Sequence, residues 1–426
     1  MDTTLDHDAF ALAHDAADPL ARFRSAFHVP QHAGRDLHYF VGNSLGLQPR
    51  AAAAAIAEEL SNWATKAVEG HFRGERPWMH YHTHLREPMA RVVGAQPQEV
   101  VVMNTLTVNL HLLMASFYRP TRERPAILIE AGAFPSDRHA VESQIRFHGF
   151  DPATDLIELE ADAPGGLISL AAIERVLAEH GPRIALLLWP GVQYRTGQAF
   201  DLATLTRLAK AQGCAVGFDL AHAAGNLPIA LHDSGADFAA WCTYKYLNSG
   251  PGAVAGAFVH ERHAKRPDLP RWAGWWGHRP ETRFLMGPSF EPAEGADGWQ
   301  MSNPPILAMA PIRASLDLFD AATMPALRSK SLALTAYLEA LVETHLGAAI
   351  EILTPRDPAQ RGCQLSLRVR AGRDAGRALF DALAANGVLG DWREPDVIRI
   401  SPAPLYNRFT DVLAFARTAH RWTRAA

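Results

Sequence analysis

The 426-residue sequence predicts an α/β protein: a mostly parallel sheet covered by helices, followed by a small α+β unit. Three observations predict it. Short apolar segments alternate with amphipathic helical patterns through the middle of the chain. Those helices start at capping residues and stop near glycines. Towards the C-terminus the pattern changes to half-buried, alternating strands.

The elements follow in order. Ala51 to Ala55 continue into an ordinary helix. Residues 104–109 (NTLTVN) open a helical pattern in which Leu106, Leu110, Leu113 and Phe117 share a face. Residues 126–130 (AILIE) form a strand. Ser169 caps a helix carrying Leu170, Ile173 and Leu177, and Gly181 ends it. Residues 184–189 (IALLLW) are the next strand. Asp201 caps a helix with Leu202, Leu205, Leu208 and Ala209 on one face, closed by Gly213. Residues 215–219 (AVGFD), 239–243 and 254–259 are further strands. In the last unit, 363–369 is a strand, 373–385 a helix and 397–401 a strand, with Asn407 expected to cap a final helix. The division falls in a helix expected to begin near Pro311. It yields an N-terminal segment 1–50, a large unit 51–310 and a small unit 311–426.

Composition excludes several classes. With 48% hydrophobic and 20% charged residues the chain can bury a large core. Lys+Arg 41 against Asp+Glu 45, a net charge of −4, argues against a dedicated nucleic-acid binder. No apolar run approaches the ~20 residues of a membrane-spanning helix. The acidic start MDTTLDHDAF has no basic or apolar signal region, so no secretory signal is expected. Cys214, Cys242 and Cys363 are too few for a disulfide framework, and a reducing cytoplasm is expected.

In doubly wound sheets ligands bind beyond the carboxyl ends of the strands. That rule selects Asp219, Lys245 and the strand end Glu130. A desolvated lysine has a lowered pKa and condenses with carbonyls. A carboxylate at a strand end can hold a pyridine nitrogen protonated, with His222 in support. Read alone, Lys245 is better taken as a surface lysine at a strand end, and Asp219 can be a helix cap followed by a packing histidine. Their separation by one strand–helix–strand unit puts their strands side by side. Leu106 and Thr107, at a helix start, offer backbone N–H groups and a hydroxyl to a phosphate; the bland alternative is a capped helix. In VIRIS, Ile398 and Ile400 point one way and Arg399 and Ser401 the other. The planar fork of arginine suits a carboxylate, although a solvated strand arginine is also possible at this stage.

Taken together the segments resemble the kynureninase family of pyridoxal-phosphate enzymes. The matching stretches, in order, are YFVGNSLGLQP (39–49), GHFRGERPW (70–78), NTLTVNLHLLM (104–114) and AFPSDRHAVESQ (133–144). WPGVQYRTGQ, GFDLAHAAGN, TYKYLNSGPG, GWWGHRPETRF, MSNPPIL and RISPAPLYN (399–407) continue them. The resemblance implies the fold type I transferase-like architecture with a seven-stranded sheet, and pyridoxal 5'-phosphate as cofactor. It implies that Lys245 carries the cofactor covalently and that Asp219 binds the ring nitrogen, with Asp137 and His222 beside it. Phe134, Pro135 and Ser136 would line the ring, and Leu106, Thr107 and Tyr244 the phosphate. Trp275 and Asn303 would reach the cofactor from the neighbouring subunit of a homodimer. Arg399 would bind the substrate carboxylate. His71, Ser44, Ser302 and Asn303 would shape the aromatic end of the pocket. The implied reaction is hydrolysis of the Cβ–Cγ bond of kynurenine or 3-hydroxykynurenine to an anthranilate and alanine. Tyr244 is the candidate for assisting hydration and protonating the carbanion; its bland role is a phosphate ligand. The implied setting is tryptophan breakdown or pyridine-nucleotide synthesis, without nucleic acid or membrane.

Two other signals carry less. His80, His82 and His84 lack the further ligands of a zinc pattern, and no metal is expected. Trp272, Trp275 and Trp276 fit a pocket or dimer interface better than a sugar or nucleic-acid platform. The rival readings are a cysteine desulfurase or aminotransferase, and a binding protein on a degenerate fold of the same type. A desulfurase needs a mobile cysteine, and Cys363 sits in a strand pattern. Degeneracy would show as loss of the lysine or the aspartate, and both are present.

Overall fold

The computed structural model describes residues 7–266 and 268–425. The acidic stretch read at the extreme N-terminus lies largely outside the described residues.

The large sheet has seven strands: β1 (Val100–Val102), β2 (Ala126–Glu130), β3 (Leu156–Leu159), β4 (Ile184–Pro190), β5 (Ala215–Asp219), β6 (Phe238–Trp241) and β7 (Gly256–Val259). Their order is β1-β7-β6-β5-β4-β2-β3, and only β7 runs against the rest. Most of its residues are buried on both faces, so the strands read as continuous apolar runs rather than alternating ones. Helices α1 (Asp8–Ala17), α2 (Ala51–Lys66), α3 (Tyr81–Val93), α4 (Leu106–Phe117), α5 (Pro135–Phe147), α6 (Leu170–His180) and α7 (Leu202–Ala211) precede or punctuate the sheet. The predicted caps are present. Ser169 accepts the N–H of Ala172, and Asp201 accepts those of Ala203 and Thr204.

Helices α8 (Ile306–Ala322) and α9 (Met324–His345) lead to a second, antiparallel sheet. Its strands are β8 (Ile350–Ile352), β9 (Leu365–Val369), β10 (Asp391–Arg393) and β11 (Val397–Ile400), in the order β8-β9-β11-β10. Helices α10 (Arg373–Ala385) and α11 (Phe409–Ala425) cover it. The helix expected near Pro311 begins earlier, at Ile306, and Pro311 sits inside it. Asn407 does not cap the last helix. Its side chain instead bonds Ala403 N and Tyr39 O. The capping acceptor is Asp15, which takes the N–H groups of Phe409 and Thr410. A carboxylate from a helix almost 400 residues upstream outcompetes the local amide, and this is invisible to a local sequence pattern.

The N-terminal segment is tied to the second sheet's layer. Asp411, fully buried, pairs with His38 and Arg24. Among the described residues no helix is long and apolar enough to cross a membrane.

Candidate active site

One cleft of about 220 Å³ opens at the carboxyl ends of β2, β4, β5 and β6. It is lined by Leu106, Thr107, Glu130, Phe134, Ser136, Asp137, Tyr194, Asp219, His222, Tyr244 and Lys245, among others. Neighbouring parallel pairing of β5 and β6 explains the convergence. Asp219 ends β5 opposite Ala240 of β6, and Lys245 lies four residues beyond the end of β6. The turn carrying Lys245 is fastened by Thr243 Oγ1 donating to Val254 O at 2.7 Å. Gly46 N donates to Tyr244 O at 2.8 Å. A Cβ on Gly46 would stand 2.4 Å from Lys245 O, so only glycine lets the GNSLG segment lie against this turn.

Lys245 Nζ is 2.9 Å from His222 Nε2 and 5.9 Å from the centre of the Phe134 ring. Burial, together with the charges of Lys245 and Arg399, holds His222 well below its ordinary pKa and therefore neutral. Asp219 Oδ1 accepts the N–H of Ala221 at 2.7 Å. Burial and the neighbouring Asp219 push the Asp137 carboxyl well up. Burial pushes Glu130 up to about 8. Burial in this shared corner favours the protonated form of both Asp137 and Glu130. At the other end, Thr107 Oγ1 and Ser136 Oγ lie 2.8 Å apart, where the N-termini of α4 and α5 meet. Burial also raises the Tyr244 phenol, so this group keeps its proton.

The remaining predicted residues lie outside this cleft in the single chain. Trp275, Ser302 and Asn303 are exposed. His71 packs edge-on against Trp78, with ring centres 5.1 Å apart at 82°. Trp78 Nε1 donates to the buried Glu59 at 2.9 Å. Pro135 takes the first position of α5. Arg399 is fully buried in β11, against Tyr194 of the cleft wall. The strand-end rule selects Glu130 without giving it a chemical role, and the cleft indeed includes it; Tyr194, which also lines the cleft, follows from no such rule. Glu99, His232 and His260 gather elsewhere, but Glu99 already accepts the N–H groups of Gln96 and Glu261 and pairs with His232.

The chain is 66% identical over 423 residues to a kynureninase of Xanthomonas euvesicatoria, covering 99% of this chain and 100% of that protein. This chain belongs to the kynureninase family. A kynureninase of Stenotrophomonas maltophilia is also 66% identical, over 97% of both chains. The family model for the kynureninase C-terminal domain matches residues 327–418 of this kynureninase-family chain. Solved structures similar in fold include the Escherichia coli cysteine desulfurase CsdA, with a TM-score of 0.76 at 18% identity, covering 95% of this chain and 98% of that one. A Thermococcus onnurineus cysteine desulfurase gives a TM-score of 0.74 at 16% identity, over 92% and 95%. The likeness to both is one of fold.

Proposed function

We propose that this chain is a pyridoxal-phosphate-dependent hydrolase that cleaves the Cβ–Cγ bond of L-kynurenine, 3-hydroxy-L-kynurenine or both. The products are anthranilate or 3-hydroxyanthranilate, and L-alanine. The observation that carries this reading is Lys245 against the neutral, buried His222, in a cleft that also holds Asp219 and two helix N-termini.

The donor set fits the cofactor. Asp219 is a carboxylate partner for a pyridinium nitrogen. Asp137 Oδ1 and His222 Nδ1 are buried without hydrogen-bond partners among the described residues. The hydroxyls of Thr107 and Ser136, backbone N–H groups at Leu106 and Thr107, and Tyr244 suit a phosphate. Pyridoxal phosphate supplies an aldehyde that condenses with amines and a ring that withdraws electrons.

The residues then divide the work. Lys245 would hold the cofactor's aldehyde until the substrate amine displaces it, and the freed lysine amine would then take the proton from the substrate Cα. His222, neutral beside Lys245, accepts a hydrogen bond from it without adding charge. Tyr244 keeps its phenolic proton and so acts as a donor, first to the phosphate and then to Cβ. Arg399 grips the α-carboxylate. The exposure of Trp275 and Asn303 outside the cleft is compatible with, and supports, the reading that they complete the site of a second copy in a homodimer. The reading includes a cytoplasmic enzyme whose units are residues 1–50, 51–310 and 311–426.

The test is direct. Purified protein with pyridoxal phosphate turns yellow, and kynurenine gives fluorescent anthranilate. A colourless protein, or a yellow one that leaves kynurenine intact, overturns the reading. A desulfurase is disfavoured because Cys214, Cys242 and Cys363 are all buried, and burial raises the Cys363 thiol to about 12.

A further inference from the structure

Arg399 is fully buried, and a buried guanidinium needs both a counter-charge and a fixed direction. Both come from one residue. Asp391 of β10 faces Arg399 of β11 directly across the antiparallel pair. Arg399 Nε donates to Asp391 Oδ1 at 3.0 Å, and Arg399 Nη1 donates to Tyr194 O at 2.8 Å. Nη2 stands 2.8 Å from the same Asp391 oxygen. It is nevertheless not aimed at it, and among the described residues it is a buried donor without a hydrogen-bond partner. The guanidinium is thus pinned at two of its nitrogens and keeps an unspent donor.

Asp391 also holds Arg393, two residues along the same strand face, with Arg393 Nε 2.9 Å from Oδ1 and Nη2 donating to Oδ2 at 3.1 Å. The trio of Asp391, Arg393 and Arg399 therefore carries one net positive charge, which a single carboxylate neutralises. The Tyr194 carbonyl is steadied in turn by Gln364 Nε2, which donates to it at 3.1 Å, and Gln364 Oε1 accepts from Asn43 Nδ2 at 2.9 Å.

We propose that Asp391 is the positioning residue for substrate-carboxylate recognition: it aims Arg399 and reduces the two-arginine cluster to the single charge of a monocarboxylate amino acid. The proposal rests on the reading that Arg399 binds the α-carboxylate. It gives the site a preference rule as well. A second acidic group on the substrate side chain finds no further net charge, because the trio carries only one and the α-carboxylate takes it.

An amide at position 391 has one acceptor oxygen and no charge, so it frees Arg399 to turn and leaves the two guanidiniums repelling each other. In Asp391→Asn holoenzyme, KM for kynurenine rises at least tenfold while kcat stays within about threefold and cofactor affinity is unchanged. Asp391→Glu, which keeps the charge and moves it by one methylene, gives a smaller rise in KM. Asp391→Asn combined with Arg399→Gln is no worse than Arg399→Gln alone, because Asp391 acts through Arg399. If Arg399→Gln leaves KM unchanged, the carboxylate reading of Arg399 fails. If Arg399→Gln raises KM while neither Asp391 variant does, the positioning role is overturned. Should Asp391→Asn not fold, Asp391→Glu decides, and an unchanged KM there overturns the role. Equal losses in KM, kcat and cofactor affinity mark a merely structural residue and overturn it too.

Discussion

Lys245 Nζ and His222 Nε2 lie 2.9 Å apart, joining the residue past the end of β6 to the turn after β5. A lysine needs a polar partner when buried, and a carboxylate there would lock it as a cation. A neutral imidazole accepts the hydrogen bond without adding negative charge beside the amine.

Lys245→Ala is expected to abolish the yellow colour and the turnover together. The absorption spectrum after reduction with borohydride checks it. A covalent, reducible cofactor adduct surviving in the variant would remove Lys245 from its role.

Asp219→Asn is expected to bind cofactor yet lose rate by several orders of magnitude. An amide cannot hold the ring nitrogen protonated, so electrons from Cα have nowhere to go. Exchange of the Cα proton of L-alanine with deuterated solvent isolates that step. Exchange near the wild-type rate would contradict the assignment.

Much of this site was legible before the structure. The strand ends at Asp219 and Glu130, and the Lys245 turn, follow from short apolar runs between capped helices, because both caps and burial are local. Asp391 was not legible. Its partner Arg399 is eight residues away and meets it only through the register of two short strands. The Asp15 cap of α11 was hidden for the same reason: it is a long-range contact that replaces a plausible local one. Arg399 points away from Ile398 and Ile400, as alternation predicts, and the alternative of a solvated strand arginine falls because both faces of β11 are buried. Packing of the small sheet against the cleft wall makes the difference.

Glu130 sets a pH dependence of stability. Its folded pKa is raised from 4.5 to about 8 by burial, with the Asp219 charge adding to it. Asp137, Asp219, His222, Lys245, Tyr194 and Tyr244 are the other ionisable groups lining this cleft. Between these two values the folded state holds a proton that the unfolded chain has released, so stability falls as pH rises through this window. Glu130→Gln removes the loss. Its melting temperature is expected to decline less than wild type between pH 5 and 8, by an amount corresponding to a few kcal/mol at most. Parallel curves for the two proteins would mean that Glu130 ionises normally.

Mixing tests the shared site. Inactive Lys245→Ala and inactive Asn303→Ala chains are expected to regain part of wild-type activity once their subunits exchange, because one kind of mixed site is intact. No recovery, with exchange confirmed by labelled chains, would mean each chain builds its site alone.

Substrate preference turns on one ring hydroxyl. The reading puts His71, Ser302 and Asn303 at the aromatic end of the pocket. His71 Nδ1 is 3.1 Å from the carbonyl oxygen of Val68, so in the neutral ring Nδ1 carries the hydrogen and donates. Nε2 is then an acceptor, which is what a phenolic O–H requires. The ring cannot easily turn away, since it packs edge-on against Trp78, itself tied to Glu59. Once bound substrate covers it, an acceptor left unpaired against plain kynurenine costs on the order of 1–3 kcal/mol. The wild type is therefore expected to favour 3-hydroxy-L-kynurenine by roughly tenfold or more in kcat/KM, a ratio that a site built to pair a hydroxyl can reach. His71→Phe keeps the aromatic packing and removes the acceptor, so it is expected to bring the two substrates close to parity. Measuring kcat/KM for both compounds in both proteins decides it. A wild type that prefers plain kynurenine, or a ratio untouched by His71→Phe, would show that the hydroxyl is not read by this histidine.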